Sequence, residues 1–125
     1  MKKVNYLLIG ILFIAFQSVH AQTAAKNQPI LIADPVTHCT YRYHYYPNLE
    51  AYFDAKTNTY IYSQNGQWIV AKEIPSGYRG YSLNNKINVV ISDYDDDNVT
   101  QFIKTHKKKY PYNFHQKMRQ VTYNN

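Results

Sequence analysis

The 125-residue sequence holds a single cysteine, Cys39, so no internal disulfide can form and the fold must be stable without one. We expect this thiol to be buried, because free cysteine is among the most buried residue types. The chain also lacks the Gly-x-Ser-x-Gly motif of serine hydrolases and the His-Glu-x-x-His motif of zinc peptidases. Its length leaves room for one domain and excludes a (β/α)8 barrel or a two-half dinucleotide-binding domain.

Long apolar runs are missing except near the start, where residues 6–16 form a run of 11 residues. A membrane-spanning helix needs about 20 apolar residues, so this run is too short for one. It follows a basic start, Lys2-Lys3, and precedes Val19-His20-Ala21, which fits the small-residue rule for cleavage. Residues 1–21 are therefore a predicted signal peptide cleaved after Ala21. The mature chain is predicted to be periplasmic or secreted, with no membrane span.

Aliphatic side chains are scarce, since only 20 Leu, Ile, Val and Phe residues lie in residues 22–125. So low a fraction indicates disorder only when the net charge is large. Residues 22–125 carry 12 basic and 8 acidic side chains, which is a modest excess. Tyrosine supplies the missing apolar area, and 13 of the 14 tyrosines lie in this part of the chain. A folded, sheet-rich domain with an aromatic core is expected.

Aromatic residues alternate with polar ones in several short runs, which is typical of strands. Strands are predicted at 40–46, 50–53, 59–63, 67–71 and 86–92, and Asn65-Gly66 predicts a type I′ hairpin between the third and fourth. Residues 98–110 have apolar side chains at helical spacing. The predicted fold class is α+β, a small antiparallel β-meander of four to five strands with one C-terminal amphipathic helix. Residues 22–38 form an N-terminal leader and 39–125 the single domain.

The predicted helix has charges suited to its dipole, with Asp95–Asp97 before its start and Lys107–Lys109 near its end. Asn98 and Gln101 have the spacing of a capping box. Residues 93–98 form an acidic cluster. They do not fit an EF-hand loop, because the twelfth position counted from Asp93 is Lys104 rather than a carboxylate. A looser calcium site on this loop stays open beside the favoured interpretation of dipole compensation.

The order of several short motifs resembles that of small tyrosine-rich exported proteins of Gram-negative bacteria. The motifs are Tyr45-Tyr46-Pro47, Ala51-Tyr52-Phe53-Asp54, Tyr60-Ile61-Tyr62, Asn65-Gly66-Gln67-Trp68, Ile74-Pro75, and His106 with Tyr110-Pro111. This resemblance covers roughly residues 41–111. It implies one exported domain and assigns neither an activity nor a site residue.

Three residues near the start of the domain, His38, Cys39 and His44, could bind Zn²⁺ or copper. On a strand, His38 and His44 point to one side and Cys39 to the other, which argues against a shared site. A metal-handling protein of the envelope is therefore the alternative function. A weak enzyme or redox protein that uses Cys39 is a third hypothesis.

The favoured interpretation is a non-catalytic exported binding module without a cofactor. Exposed tyrosine and tryptophan on a sheet can stack on sugar rings or form a protein interface. Residues 98–125 also hold six basic side chains and no acid, which suits an anionic polymer, whereas export makes nucleic acid an unsuitable partner. The predicted partner is an envelope glycan, anionic polymer or protein. The candidate contacts are Tyr43, Tyr52, Tyr60, Tyr62, Trp68, Lys104, Lys107 and Lys108.

Overall fold

A computed structural model describes residues 29–123 and confirms the α+β prediction. The predicted signal peptide, its cleavage site and residues 22–28 of the leader lie outside the described residues. The strands of the antiparallel sheet and the two α-helices are β1 (Tyr43–Tyr46), β2 (Ala51–Asp54), β3 (Thr59–Gln64), β4 (Gln67–Ala71), β5 (Val89–Val90), α1 (Ile103–Lys109) and α2 (Phe114–Tyr123).

The order of strands across the sheet is β4-β3-β2-β1-β5. The first four strands form the predicted meander, whereas β5 returns to the far side and pairs with β1. The fifth strand is shorter than the predicted 86–92, and a 3-10 helical turn at residues 83–86 takes up the first predicted position. The hairpin between β3 and β4 is as predicted: Asn65 and Gly66 have φ values of 52° and 76°, the left-handed geometry of a type I′ turn.

One face of the sheet packs against residues 99–110, which comprise a 3-10 turn, α1 and the residue after it, and which we call the helical segment. Tyr43 and Tyr45 of β1 and Tyr52 of β2 are fully buried there. The helical segment contributes Val99, Ile103 and Tyr110 to this cluster, and the loops contribute Ile91 and Tyr94. Large aromatic rings thus supply the apolar area that the scarce aliphatic side chains do not.

The other face carries a smaller core near the β1–β2 turn. Leu49, Ala51 and Tyr62 are buried in it. The loop after β4 covers them with Ile74 and Tyr78. The Tyr78 hydroxyl donates a hydrogen bond to the Ser63 carbonyl at 3.0 Å, which attaches this loop to β3.

The helical segment begins differently from the prediction, because Asn98 does not form a capping box. Asn98 has a left-handed backbone (φ 67°), and its side chain makes no capping hydrogen bond. The side-chain amide of Gln101 instead donates to the backbone carbonyl of Asn98 at 3.1 Å. Val99–Phe102 form a 3-10 turn before α1 starts. Val99, the first residue of this turn, is buried in the main core.

Pro111 follows α1, and the chain after it forms α2, a second helix beyond the single predicted one. The Asn113 amide donates to the Asn48 side chain at 2.9 Å, so the start of α2 is attached to the β1–β2 turn. Within residues 29–123, no helix is long and apolar enough to cross a membrane.

The acidic cluster is attached to the start of the domain through Arg42. This buried guanidinium donates two hydrogen bonds to Asp54, at 3.0 and 2.8 Å, and pairs with Asp97 at 2.7 Å. Asp95 accepts from the backbone amide of Thr40 at 2.7 Å. The Thr40 amide lowers the pKa of Asp95, and Arg42 lowers that of Asp97. The cluster therefore acts chiefly through tertiary contacts rather than through the helix dipole.

The last residues of the predicted leader contact the sheet domain. Ala33 forms an isolated β-bridge with Thr40. Asp34 accepts hydrogen bonds from the backbone amides of Val36 and Thr37, and the Tyr41 hydroxyl donates to it at 2.9 Å. These hydrogen bonds lower the pKa of Asp34.

Candidate functional site

The face of the sheet opposite the helical segment carries a row of aromatic side chains. The strand register places Val90, His44, Phe53, Tyr60 and Ala71 side by side across five strands. The three middle rings are all partly exposed, and we call them the aromatic row: His44, Phe53 and Tyr60. The Phe53 ring centre lies 5.0 Å from that of Tyr60 and 6.2 Å from that of His44.

Hydrogen bonds and ring contacts hold the two ends of the aromatic row. At one end, Nδ1 of His44 lies 3.1 Å from the side-chain oxygen of Asn88, which orients the imidazole ring. At the other end, the ring of Tyr46 lies 6.2 Å from that of Tyr60. Burial, assisted by the neighbouring Tyr60, raises the pKa of Tyr46 to about 12. The Tyr46 hydroxyl therefore keeps its proton at neutral pH and remains a hydrogen-bond donor.

A loop extends this surface beside Tyr46. Tyr81 is 42% exposed, and Nζ of Lys86 lies 5.5 Å from the centre of its ring. The surface thus combines partly exposed rings with phenolic hydroxyls, an imidazole and one ammonium group. Flat apolar area with polar atoms at its edges is suited to a ligand that has both apolar faces and hydroxyl groups.

Three of the predicted aromatic contacts need correction. Tyr43 and Tyr52 lie in the core beneath the helical segment, and Tyr62 lies in the smaller core under Tyr78. Their rings are buried because alternate residues of β1, β2 and β3 point into one core or the other. Buried rings do not reach an external ligand, so these three leave the set of candidate contacts.

The remaining predicted aromatic contacts, Tyr60 and Trp68, lie on different faces. Tyr60 belongs to the aromatic row. Trp68 lies on the face that packs against the helical segment, with its ring centre 6.5 Å from that of Tyr52. It is 39% exposed because β4 is the edge strand. One flat ligand therefore cannot stack on both rings.

The predicted lysines of α1 are exposed. Lys107 pairs with Glu50 at 3.0 Å, and Glu50 also pairs with Arg79 at 3.2 Å. In the described part of the chain, Lys104 and Lys108 form no ion pair. Because α1 packs on the face opposite the aromatic row, these lysines and the row are separate surfaces.

The structure does not bring His38, Cys39 and His44 together into one group of candidate metal ligands. No group of three or more His, Cys, Asp or Glu side chains in residues 29–123 is placed to hold a metal ion. His38 is exposed in a turn with φ 61°, whereas His44 belongs to the aromatic row and contacts Asn88. Cys39 is partly exposed rather than buried as expected, because it follows that turn at the edge of the domain.

Two members of the aromatic row, His44 and Phe53, were not predicted as ligand contacts. Side chains alternate along β2, so Phe53 points to the opposite face of the sheet from Tyr52, and the sequence was sufficient to predict this. That Phe53 lies between His44 and Tyr60 depends on the pairing register of three strands, which the sequence does not display.

The comparisons with known proteins do not assign a family to this chain. No family model matches it, and neither a curated protein nor a solved structure matches it.

Proposed function

We propose that this protein is a non-catalytic exported binding module, and that the aromatic row stacks on the sugar rings of an envelope glycan. The observation that carries the proposal is the alignment of His44, Phe53 and Tyr60 across three neighbouring strands, each partly exposed. A rigid sheet holds these rings in place before a ligand arrives, so little conformational entropy is lost on binding.

The chemistry of the rim favours a glycan over a purely apolar ligand. Near the Tyr60 end of the row, Tyr46 and its neighbour Tyr81 carry phenolic hydroxyls, and the Lys86 ammonium group lies 5.5 Å from the centre of the Tyr81 ring. A sugar ring presents apolar C–H groups on its face and hydroxyl groups at its edge, which matches aromatic rings with polar groups beside them. Export, predicted from residues 1–21, would bring the domain to envelope glycans.

A sedimentation assay with purified peptidoglycan sacculi, together with titration of a soluble β-1,4-linked N-acetylglucosamine oligomer, tests this proposal. Phe53→Leu and Tyr60→Leu keep apolar volume but remove a ring. Each should weaken binding by about twofold to tenfold, the range expected for one aromatic contact. Trp68→Leu is the matched control, since it removes an exposed ring from the opposite face and should leave binding unchanged.

Thermal unfolding of all three variants verifies that each is folded before binding is compared. Absence of binding to both probes at low salt contradicts the proposal. Equal loss of binding in Trp68→Leu and the two row variants also contradicts it, because the aromatic row would then have no special part.

A further inference from the structure

Strand β4 forms one edge of the sheet and leaves part of its backbone unpaired within the described residues. In a two-residue hairpin the residues flanking the turn, here Gln64 and Gln67, form a hydrogen-bonded pair. Because hydrogen bonding alternates along an antiparallel strand, Ile69 and Ala71 also bond to β3. The amide and carbonyl groups of Trp68 and Val70 therefore point outward at the free edge.

This edge has none of the features that usually protect a sheet from pairing with another strand. Proteins commonly blunt such edges with charged residues, proline, bulges or very short strands. Strand β4 has five residues with the sequence QWIVA, which contains no charge and no proline. Its side chains at the edge are apolar and accessible, with Val70 63% and Trp68 39% exposed. The opposite edge, β5, has only two residues.

The sequence of β4 is complementary to a second copy of itself. An antiparallel pair centred on Ile69 places Trp68 opposite Val70 of the second copy, and the reverse. These residues carry the outward-pointing backbone groups, so each pair can exchange both of its hydrogen bonds. Aromatic and β-branched side chains are a favourable cross-strand pair. In this register Lys72 lies opposite Gly66 of the second copy, so no like charges meet.

We propose that β4 pairs antiparallel with β4 of a second copy around a two-fold axis at Ile69. Two five-stranded sheets then form one ten-stranded sheet, and the free edge is closed. A single short strand buries less area than a typical stable interface, so the dimer should be weak and depend on concentration. The aromatic row is on the opposite face from Trp68 and Val70, so this dimer does not depend on the proposed glycan binding.

The single tryptophan makes the test direct, because Trp68 is the only one in the chain. Sedimentation velocity and tryptophan emission are measured on the purified protein across a wide concentration range. The expected result is a monomer–dimer transition accompanied by a shift of the emission to shorter wavelength. Hydrogen exchange should show the amides of Trp68 and Val70 becoming protected as the concentration rises. The amide of Ile69, which bonds within the hairpin, should be protected at every concentration.

Two substitutions test the register. Val70→Pro removes an edge donor that the hairpin does not use, and edge strands tolerate proline at such positions. Val70→Lys places a charge at the edge and keeps the backbone intact, so it serves if the proline variant does not fold. Both should remain monomeric, whereas Val70→Thr and Phe53→Leu should still dimerise. A monomer at every concentration, a dimer that persists in both edge variants, or assembly beyond a dimer would overturn the proposal.

Discussion

The hydroxyl of Tyr52 lies 2.7 Å from Nδ1 of His106, and both groups are buried between the sheet and α1. This hydrogen bond joins β2, the central strand of the sheet, to α1 across the main core. The imidazole of His106 is also surrounded by aromatic rings: those of Tyr45, Phe102 and Tyr110 have centres 5.7–6.3 Å away. Tyr52 and His106 therefore form a buried polar contact within an interface that is otherwise made of apolar and aromatic side chains.

The burial of His106 predicts that stability falls in mild acid. Burial lowers the pKa of His106 below its ordinary value of 6.5; Asp93 acts in the opposite direction and Lys109 in the same direction. Below about pH 6.5 the unfolded chain therefore binds more protons than the folded one, so the free energy of unfolding decreases as the pH falls. Urea unfolding at a series of pH values between about 7.5 and 5 measures this slope.

His106→Gln is the variant that isolates this effect, since it cannot be protonated. Its free energy of unfolding should vary less with pH across this window. The carboxylates Asp34, Asp95 and Asp97 have pKa values below 3.8, so their stabilising effect is lost only at lower pH. An unchanged slope in His106→Gln would show that another group causes the acid sensitivity.

Tyr52→Phe should destabilise the protein by about 1–3 kcal/mol, the cost of leaving a buried polar partner unpaired. The variant keeps the ring and removes only the hydroxyl that contacts His106. Equilibrium unfolding in urea measures the change. Tyr112→Phe is the matched control, because this hydroxyl belongs to a side chain that is 62% exposed, and the change should be within about 0.5 kcal/mol. Equal effects in the two variants contradict the assignment.

Tyr45→Phe should have the opposite sign. The Tyr45 hydroxyl is buried, and among the described residues it has no hydrogen-bond partner. An unpaired buried hydroxyl costs about 1–3 kcal/mol, so its removal should raise the free energy of unfolding. The same urea experiment measures both substitutions. Each variant loses one buried phenolic hydroxyl, so the difference between Tyr45→Phe and Tyr52→Phe reports the effect of the hydrogen-bond partner. A Tyr45→Phe variant that is less stable than the parent contradicts the prediction.

Asp54→Asn should be strongly destabilising, because it leaves the Arg42 charge with a weaker partner in the interior. The side chains of Arg42 and Asp54 are 7% and 5% exposed, and breaking such a buried pair costs about 3–5 kcal/mol. Asp97→Asn breaks the other ion pair of the same guanidinium, but the Asp97 side chain is 81% exposed. That change should cost less than about 1 kcal/mol. Thermal and urea unfolding compare the two, and a similar loss in both would be inconsistent with this difference in burial.

Local sequence patterns were sufficient for the elements whose causes are local. The hairpin of β3 and β4 was predicted because Asn65-Gly66 permits the left-handed turn between two alternating strands. The tyrosine-rich core was predicted from the shortage of aliphatic residues. The capping box failed because a left-handed Asn98 and a 3-10 turn bring Val99 to the core, and this packing outweighs the local capping signal.

The candidate site shows the same division between local and tertiary information. Alternation along each strand indicates which residues share a face, but both faces of this sheet carry tyrosines. The helical segment covers Tyr52 on one face, and the loop after β4 covers Tyr62 on the other, whereas Phe53 and Tyr60 stay partly exposed. The role of the acidic cluster was also hidden, since Asp54 and Asp97 meet at Arg42 from distant parts of the chain.

The sequence by itself determined the class of fold, the hairpin and the need for an aromatic core, because turn geometry, side-chain alternation and composition act over a few residues. The tertiary structure alone decided that β5 returns to pair with β1, that three aromatic rings align on one face, and that β4 lies at the edge of the sheet formed by residues 29–123. These features depend on which strands pair and on what covers each face, and such contacts join residues far apart in the chain.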